Sequence, residues 1–140
     1  MQYEHKTKLT VRFGETDLLG HVNNANYFSY LEHARVQFFK DLSSDSGYQY
    51  DRNQFILATI KCDFLAQTFF DQELTIGTKV SRVGNTSFTL EQPIYDTKTG
   101  TKVARGESVI VYFDFEEQTS KPVPDALREQ LDQYLEPVRG

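Results

Sequence analysis

The chain has 140 residues, with 15 Lys and Arg against 20 Asp and Glu for a net charge of -5, and one cysteine, Cys62. This length fits one domain, residues 1–140, and lets a folded chain bury roughly two-thirds of the surface it would expose unfolded. The acidic balance lacks an electrostatic footprint for nucleic acid, a lone cysteine cannot form an internal disulfide, and no stretch reads as a signal peptide or membrane span, so a soluble cytoplasmic protein without nucleic acid or membrane partners is expected.

In chain order, residues 7–13 alternate as a half-buried strand does, with Leu9, Val11 and Phe13 on one face. Gly14 ends the alternation, and the loop Glu15 to Val22 leads to Asn23 and Asn24, whose side chains suit a helix start. From Asn24 to Leu42, Tyr27, Leu31, Ala34, Phe38 and Leu42 recur every three or four residues, flanked by Phe28, Tyr30 and Phe39. Such a helix is about 27 Å long, with Glu32, His33, Gln37 and Lys40 on its outer side. Ser43 to Asp51 is turn-rich.

Strands follow at Phe55–Leu65, Glu73–Val83, Thr86–Asp96 and Lys102–Phe115, with turns at Gly84-Asn85 and Lys98 to Gly100. After Pro122 and Pro124, Asp125 is expected to cap a short helix presenting Leu127, Leu131 and Leu135. Strand, long helix, four strands and short helix together predict an α+β domain: one long central helix wrapped by a five-stranded antiparallel sheet, with a short C-terminal helix. Its edge strands invite pairing between subunits, so a homodimer or homotetramer is expected.

The chemistry concentrates between Arg12 and Arg35, R-F-G-E-T-D-L-L-G-H-V-N-N-A-N-Y-F-S-Y-L-E-H-A-R. By itself Asp17 in T-D-x-x-G is an ordinary turn residue. His21 either orients a water or substrate, or ties down the loop. Asn23 and Asn24 are helix caps, and a capped helix start presents free N–H groups and a positive pole to an anion. Glu32 and Arg35, three apart, read as an ion pair, and Tyr27 and Tyr30 read as core aromatics. His5 and His33 have no partner pattern for a metal, and Cys62 reads as a small buried side chain.

This stretch, with D-x-x-G, the Asn26-Tyr27 pair and E-H-A-R, is similar to the signature of the 4-hydroxybenzoyl-CoA thioesterase family of the hotdog fold. The resemblance continues through S-R-V-G-N-T-S-F and V-I-V-Y-F-D-F...P-V-P-D-A-L. It implies hydrolysis of acyl-CoA thioesters without metal or cofactor, at an active site on a subunit interface. The family's catalytic carboxylate falls on Asp17, as nucleophile or general base. Its oxyanion-binding N–H falls on Asn24, with His21 in support and Asn23 and Tyr27 on the substrate. The segment Val83 to Ser87 falls where the pantetheine arm passes, which makes Gly84, Asn85, Thr86 and Ser87 binding candidates.

Lys61, Arg82 and Arg105 are candidates for the CoA phosphates, and Glu32 is a reserve acid because another hotdog branch carries its carboxylate on the helix. Gln67 stands where many relatives have proline. G-H-V-N-N also resembles acyl-carrier-protein thioesterases, a second enzyme reading that the acidic surface disfavours. From a different class, a non-catalytic acyl-CoA binding module would keep the cleft without needing Asp17.

Overall fold

A helix with a wide apolar face and strands that alternate apolar with polar residues have one common solution, in which the sheet curls its apolar face around the helix. The computed structural model describes residues 4–17, 20–46 and 54–135. In order these form β1 (His5–Thr10), α1 (Asn24–Ser46), β2 (Phe55–Phe64), β3 (Glu73–Val83), β4 (Ser87–Asp96), β5 (Lys102–Asp114), β6 (Thr119–Ser120) and α2 (Asp125–Asp132). The strand order is β1-β3-β4-β5-β2, with β6 added on β5 and every pair antiparallel. The expected α+β arrangement of one long helix on a five-stranded sheet is therefore present, with the two-residue β6 as an addition.

The apolar interior divides along α1. Its first half places Tyr27, Tyr30, Leu31 and Ala34 against Leu74, Ile76, Ile94 and Val103. Its second half places Phe38, Phe39 and Leu42 against Val80, Phe88, Leu90, Ile110 and the α2 residues Leu127 and Leu131. Phe39 also stacks on Phe55 at 4.9 Å between ring centroids.

Register shifts occur in three of the strand pairings, β2–β5, β3–β4 and β4–β5. The register shift between Leu57 and Thr59 lets both Phe55 and Cys62 join the interior although their spacing is odd, because an inserted residue reverses strand parity. A second shift, between Val80 and Arg82, sets Arg82 opposite Thr89 and Val83 opposite Phe88. Among the described residues no helix is long and apolar enough to cross a membrane.

Several boundaries differ from the sequence expectation. β1 ends at Thr10, and Phe13 lies in a 3-10 turn, Phe13–Glu15, where it is 76% exposed. The alternation outruns the strand because Val11, though buried, bonds to Gln72 and Asp71 in a loop rather than to β3. α1 continues to Ser46, so the polar residues 43–46 prolong the helical backbone beyond its apolar stripe; residues 47–51 of the expected turn lie outside the described residues. The N-cap of α2 is Pro124, without a side-chain bond, and Asp125 is instead the first helical residue. There its charge still faces the positive helix pole. Leu135 lies beyond the end of α2 and is exposed.

Leu31 of α1 packs directly against β5 at Gly106. A Cβ there would lie 2.6 Å from Leu31 Cδ1, and Leu31 is fully buried. Overpacking of this kind costs about 1–3 kcal/mol, so Gly106→Ala should lower the unfolding free energy by about that much, read as a lower denaturant midpoint with an unchanged slope.

Candidate active site

The path from β1 to α1 is held at almost every residue. Arg12 starts the 3-10 turn, and Glu15 N–H donates to the Arg12 carbonyl at 3.0 Å. Thr16 and Val22 then pair as an isolated bridge, Asp17 N–H donates to the His21 carbonyl at 2.8 Å, and Gly20 N–H donates to the Asp17 carbonyl at 3.0 Å. Gly20 has a φ of +86°, which side-chain-bearing residues adopt only at a cost. The D-x-x-G spacing is thus a closed turn that carries Asp17 and His21 on facing arms. Leu18 and Leu19 between them lie outside the described residues.

The same loop is sewn to the connection between β2 and β3. Val22 N–H donates to the Thr68 carbonyl at 2.9 Å, His21 bridges to Phe69, and the His21 ring meets the Phe69 ring edge-on at 5.6 Å. At the helix start the Asn23 side chain accepts Ala25 N–H at 2.9 Å, so Asn23 is the cap. Asn23 N–H donates to the Glu15 carbonyl at 3.1 Å and Asn26 N–H to the Asn23 carbonyl at 2.9 Å. Among the described residues no acceptor faces the N–H of Asn24, the first residue of α1.

These groups open onto a cleft of about 500 Å³. One wall comes from the motif, with Asp17, His21, Val22, Asn23, Asn24 and Tyr27; the other is Phe64 to Gln67 at the end of β2. Tyr27 is buried, with its hydroxyl 2.7 Å from that of Thr68 and its ring 5.3 Å from Phe64. Burial raises the pKa of this phenol, which keeps it neutral. The cleft therefore combines a carboxylate, an imidazole and a helix N-terminus with the aromatic rings of Tyr27 and Phe64. That set can polarise a carbonyl and attack it. Among the described residues no group of three or more His, Cys, Asp or Glu could hold a metal ion.

All five predicted residues of the motif, Asp17, His21, Asn23, Asn24 and Tyr27, line this cleft. Arg82, Gly84, Asn85, Thr86 and Ser87 do not: within one chain they sit at the far end of β3, whose 11 residues span about 35 Å. Glu32 is exposed on α1 and does not line the cleft. Arg35 turns inward instead, its guanidinium 3.4 Å from Gln92 Oε1. Burial lowers its pKa, and the charge of Glu32 partly offsets this. Lys61 is exposed, and Arg105 lies 4.0 Å from Glu91 on the sheet. Cys62 is half-buried in β2, and its thiol is pushed up to about 11 by burial and by the charge of Asp63.

Sequence reasoning missed Phe64 to Gln67, which reach the cleft from some 40 positions away with no local signal. It also missed Glu15. That carboxylate accepts Arg12 N–H and the Tyr30 hydroxyl on Oε1, at 2.8 and 2.9 Å, and the Arg12 guanidinium on Oε2 at 2.6 Å. Burial by itself would raise its pKa, but the bonds from Arg12 and Tyr30 outweigh burial and hold it below the ordinary carboxylate value. Tyr30 is driven well above an ordinary phenol by burial and by donation to Glu15. The Arg12–Glu15 spacing of three was a legible hint; Tyr30 as third member was not.

Comparison with known proteins identifies the family. Residues 11–131 match the Thioesterase-like superfamily. An uncharacterized protein, YsmA, of Bacillus subtilis is 41% identical over 83 residues, 59% of this chain; the match spans about half of that relative's length, 55%. The long-chain acyl-CoA thioesterase FadM of Escherichia coli is 27% identical over 93% of this chain and 98% of its own. A thioesterase from Thermus thermophilus, solved with coenzyme A and Zn, superposes with a TM-score of 0.77 at 30% identity, covering 90% of this chain and 95% of that one. With the family match running from just past the end of β1 nearly to the end of α2 and the fold shared nearly end to end, the chain belongs to the Thioesterase-like superfamily and has the hotdog fold.

Proposed function

We propose that the chain hydrolyses acyl-CoA thioesters to free acid and CoA in the cleft at the start of α1. The observation that carries this is the convergence of Asp17 and the helix N-terminus on one cleft. A thiolate, whose conjugate thiol has a pKa of about 8.5, leaves with little help from an acid. What the reaction requires is a nucleophile and donors for the oxyanion. Asp17 attacks the carbonyl or activates a water. The Asn24 N–H, backed by the positive pole of α1, receives the oxygen. His21, its ring braced against Phe69, orients the water or the thioester. Acyl-CoA as the substrate is supported by the name of the E. coli relative and by the coenzyme A bound to the T. thermophilus one.

Pairing of two chains through β2 completes the cleft. Leu57 and Phe64 on this edge strand are 43% and 42% exposed, and Phe28 and Val36 continue the apolar surface onto α1. Antiparallel β2–β2 pairing about a twofold axis sets the Phe64 end of one chain beside the Phe55 end of the other. Phe55 pairs with Tyr112, whose N–H donates to the Thr86 carbonyl at 2.9 Å. The partner's β3–β4 hairpin, with the counterparts of Arg82 and Gly84 to Ser87, thereby comes to the cleft that it cannot reach within one chain.

Thiol release from a panel of acyl-CoAs tests the chemistry. Asp17→Asn should lower kcat by roughly 10²- to 10⁴-fold; equal turnover in both proteins rejects the role of Asp17, and turnover in neither leaves a binding module. Measurement of the rate against acyl-carrier-protein thioesters, in the same assay, separates the two enzyme readings. Sedimentation should give a dimer, and Leu57→Glu should shift it toward monomer with loss of turnover. Cys62 takes no part in catalysis: at pH 8 its raised pKa leaves roughly a hundredfold less thiolate than an ordinary cysteine. Native Cys62 should therefore react slowly with a disulfide reagent at pH 8 and faster toward pH 11, and Cys62→Ser should keep kcat.

A further inference from the structure

The geometry points to Glu15 as a positioning residue for thioester hydrolysis: it clamps the loop carrying Asp17 to the start of α1 and so sets the carboxylate against the oxyanion site. This inference rests on the roles proposed for Asp17 and the Asn24 N–H. Glu15 does not line the cleft, so it acts through other residues.

Both ends of Glu15 are engaged, and they engage different elements. Its carbonyl accepts Asn23 N–H at 3.1 Å and the Asn26 side-chain amide at 3.0 Å, which ties the strand side of the loop to the cap and first turn of the helix. Its carboxylate accepts the hydroxyl of Tyr30, one turn further along α1, together with the backbone and guanidinium of Arg12. The Glu15 side chain is 12% exposed; its bond from the buried Tyr30 is shielded from water and holds geometry firmly, whereas the bonds from the exposed Arg12 lie at the surface. The Thr16–Val22 bridge and the Asp17–His21 bond stand directly on this base. Rotation of Glu15 would therefore move Asp17, two residues on, relative to Asn24, one residue past the clamped cap. Because the reaction divides its two demands between these two segments, their relative placement enters the transition state more than substrate binding.

The test compares kcat and KM for acyl-CoA hydrolysis in Glu15→Ala, Glu15→Gln, Tyr30→Phe and the Glu15→Ala/Tyr30→Phe double variant, with thermal midpoints and binding of free CoA alongside. Glu15→Ala should lower kcat by roughly 10- to 100-fold with KM and CoA binding nearly unchanged. Glu15→Gln, which retains an acceptor for Tyr30 and for Arg12 N–H, should recover most of that loss. Tyr30→Phe should lower kcat a few-fold, and should add nothing to Glu15→Ala because the clamp is already broken. A change in thermal midpoint with kcat unchanged, or additive effects in the double variant, would overturn the inference. Asp17→Asn serves as the control: if it is inactive while Glu15→Ala is fully active, only the role of Glu15 falls. If Asp17→Asn retains full activity, the catalytic reading falls and the positioning role falls with it.

Discussion

The structure depends on the burial of one helix face by one sheet face. Each large apolar side chain of the α1 stripe that leaves water contributes about 1.5–3 kcal/mol, and Leu31, Phe38 and Leu42, with Tyr27 and Ala34, are all buried at once. Close contact is possible because Gly106 lets Leu31 settle against β5. Packing of this stripe along the sheet sets the axis of α1, and so where the helix begins. Since the cleft is built around that beginning, packing in the interior determines the position of the site.

A second constraint acts on the loop. A chain segment bringing a carboxylate to a helix start must satisfy its own backbone groups, or they would compete for the same donors. Here Glu15, Asp17, Gly20, Val22 and Asn23 find protein partners, and among the described residues the Asn24 N–H is left without one. The capped helix end is therefore a structural necessity that also leaves a backbone N–H and a positive pole at the cleft, as the proposed oxyanion site requires. Cap and proposed oxyanion site do not compete, because the Asn23 side chain occupies the Ala25 N–H and not that of Asn24.

The chemistry asks little beyond this. A thioester needs no strong acid for its leaving group, so the proposed reaction requires only a carboxylate, a helix pole and the histidine braced against Phe69. Cys62 is close to the aromatic part of the cleft, yet burial and Asp63 hold it as a thiol. The phenol of Tyr27, neutral and bonded to Thr68, shapes the inner wall without adding charge. Leu57 and Phe64 on β2 and Phe28 and Val36 on α1 are among the exposed apolar side chains, and in the proposed pairing a second copy would cover them and bring the distant hairpin to the site.

By itself the sequence determined the order and type of the elements and the residues of the motif, because both are written in local patterns. The spacing of three and four gave α1, alternation gave the strands, and Asp17, Gly20, Asn23 and Asn24 lie within eight residues of one another. Local patterns stop where contacts become long-range. The end of β1 was misplaced since Val11 is buried by a loop rather than by strand pairing, and α1 outlasts its apolar stripe because a helical backbone, once nucleated, continues through polar residues. Only the tertiary structure decided that Phe64 to Gln67 form the second wall, that Glu15 joins Tyr30, and that the β3–β4 hairpin lies far from its own chain's cleft. Each of these follows from how the sheet wraps the helix, a distance in space that no sequence spacing encodes.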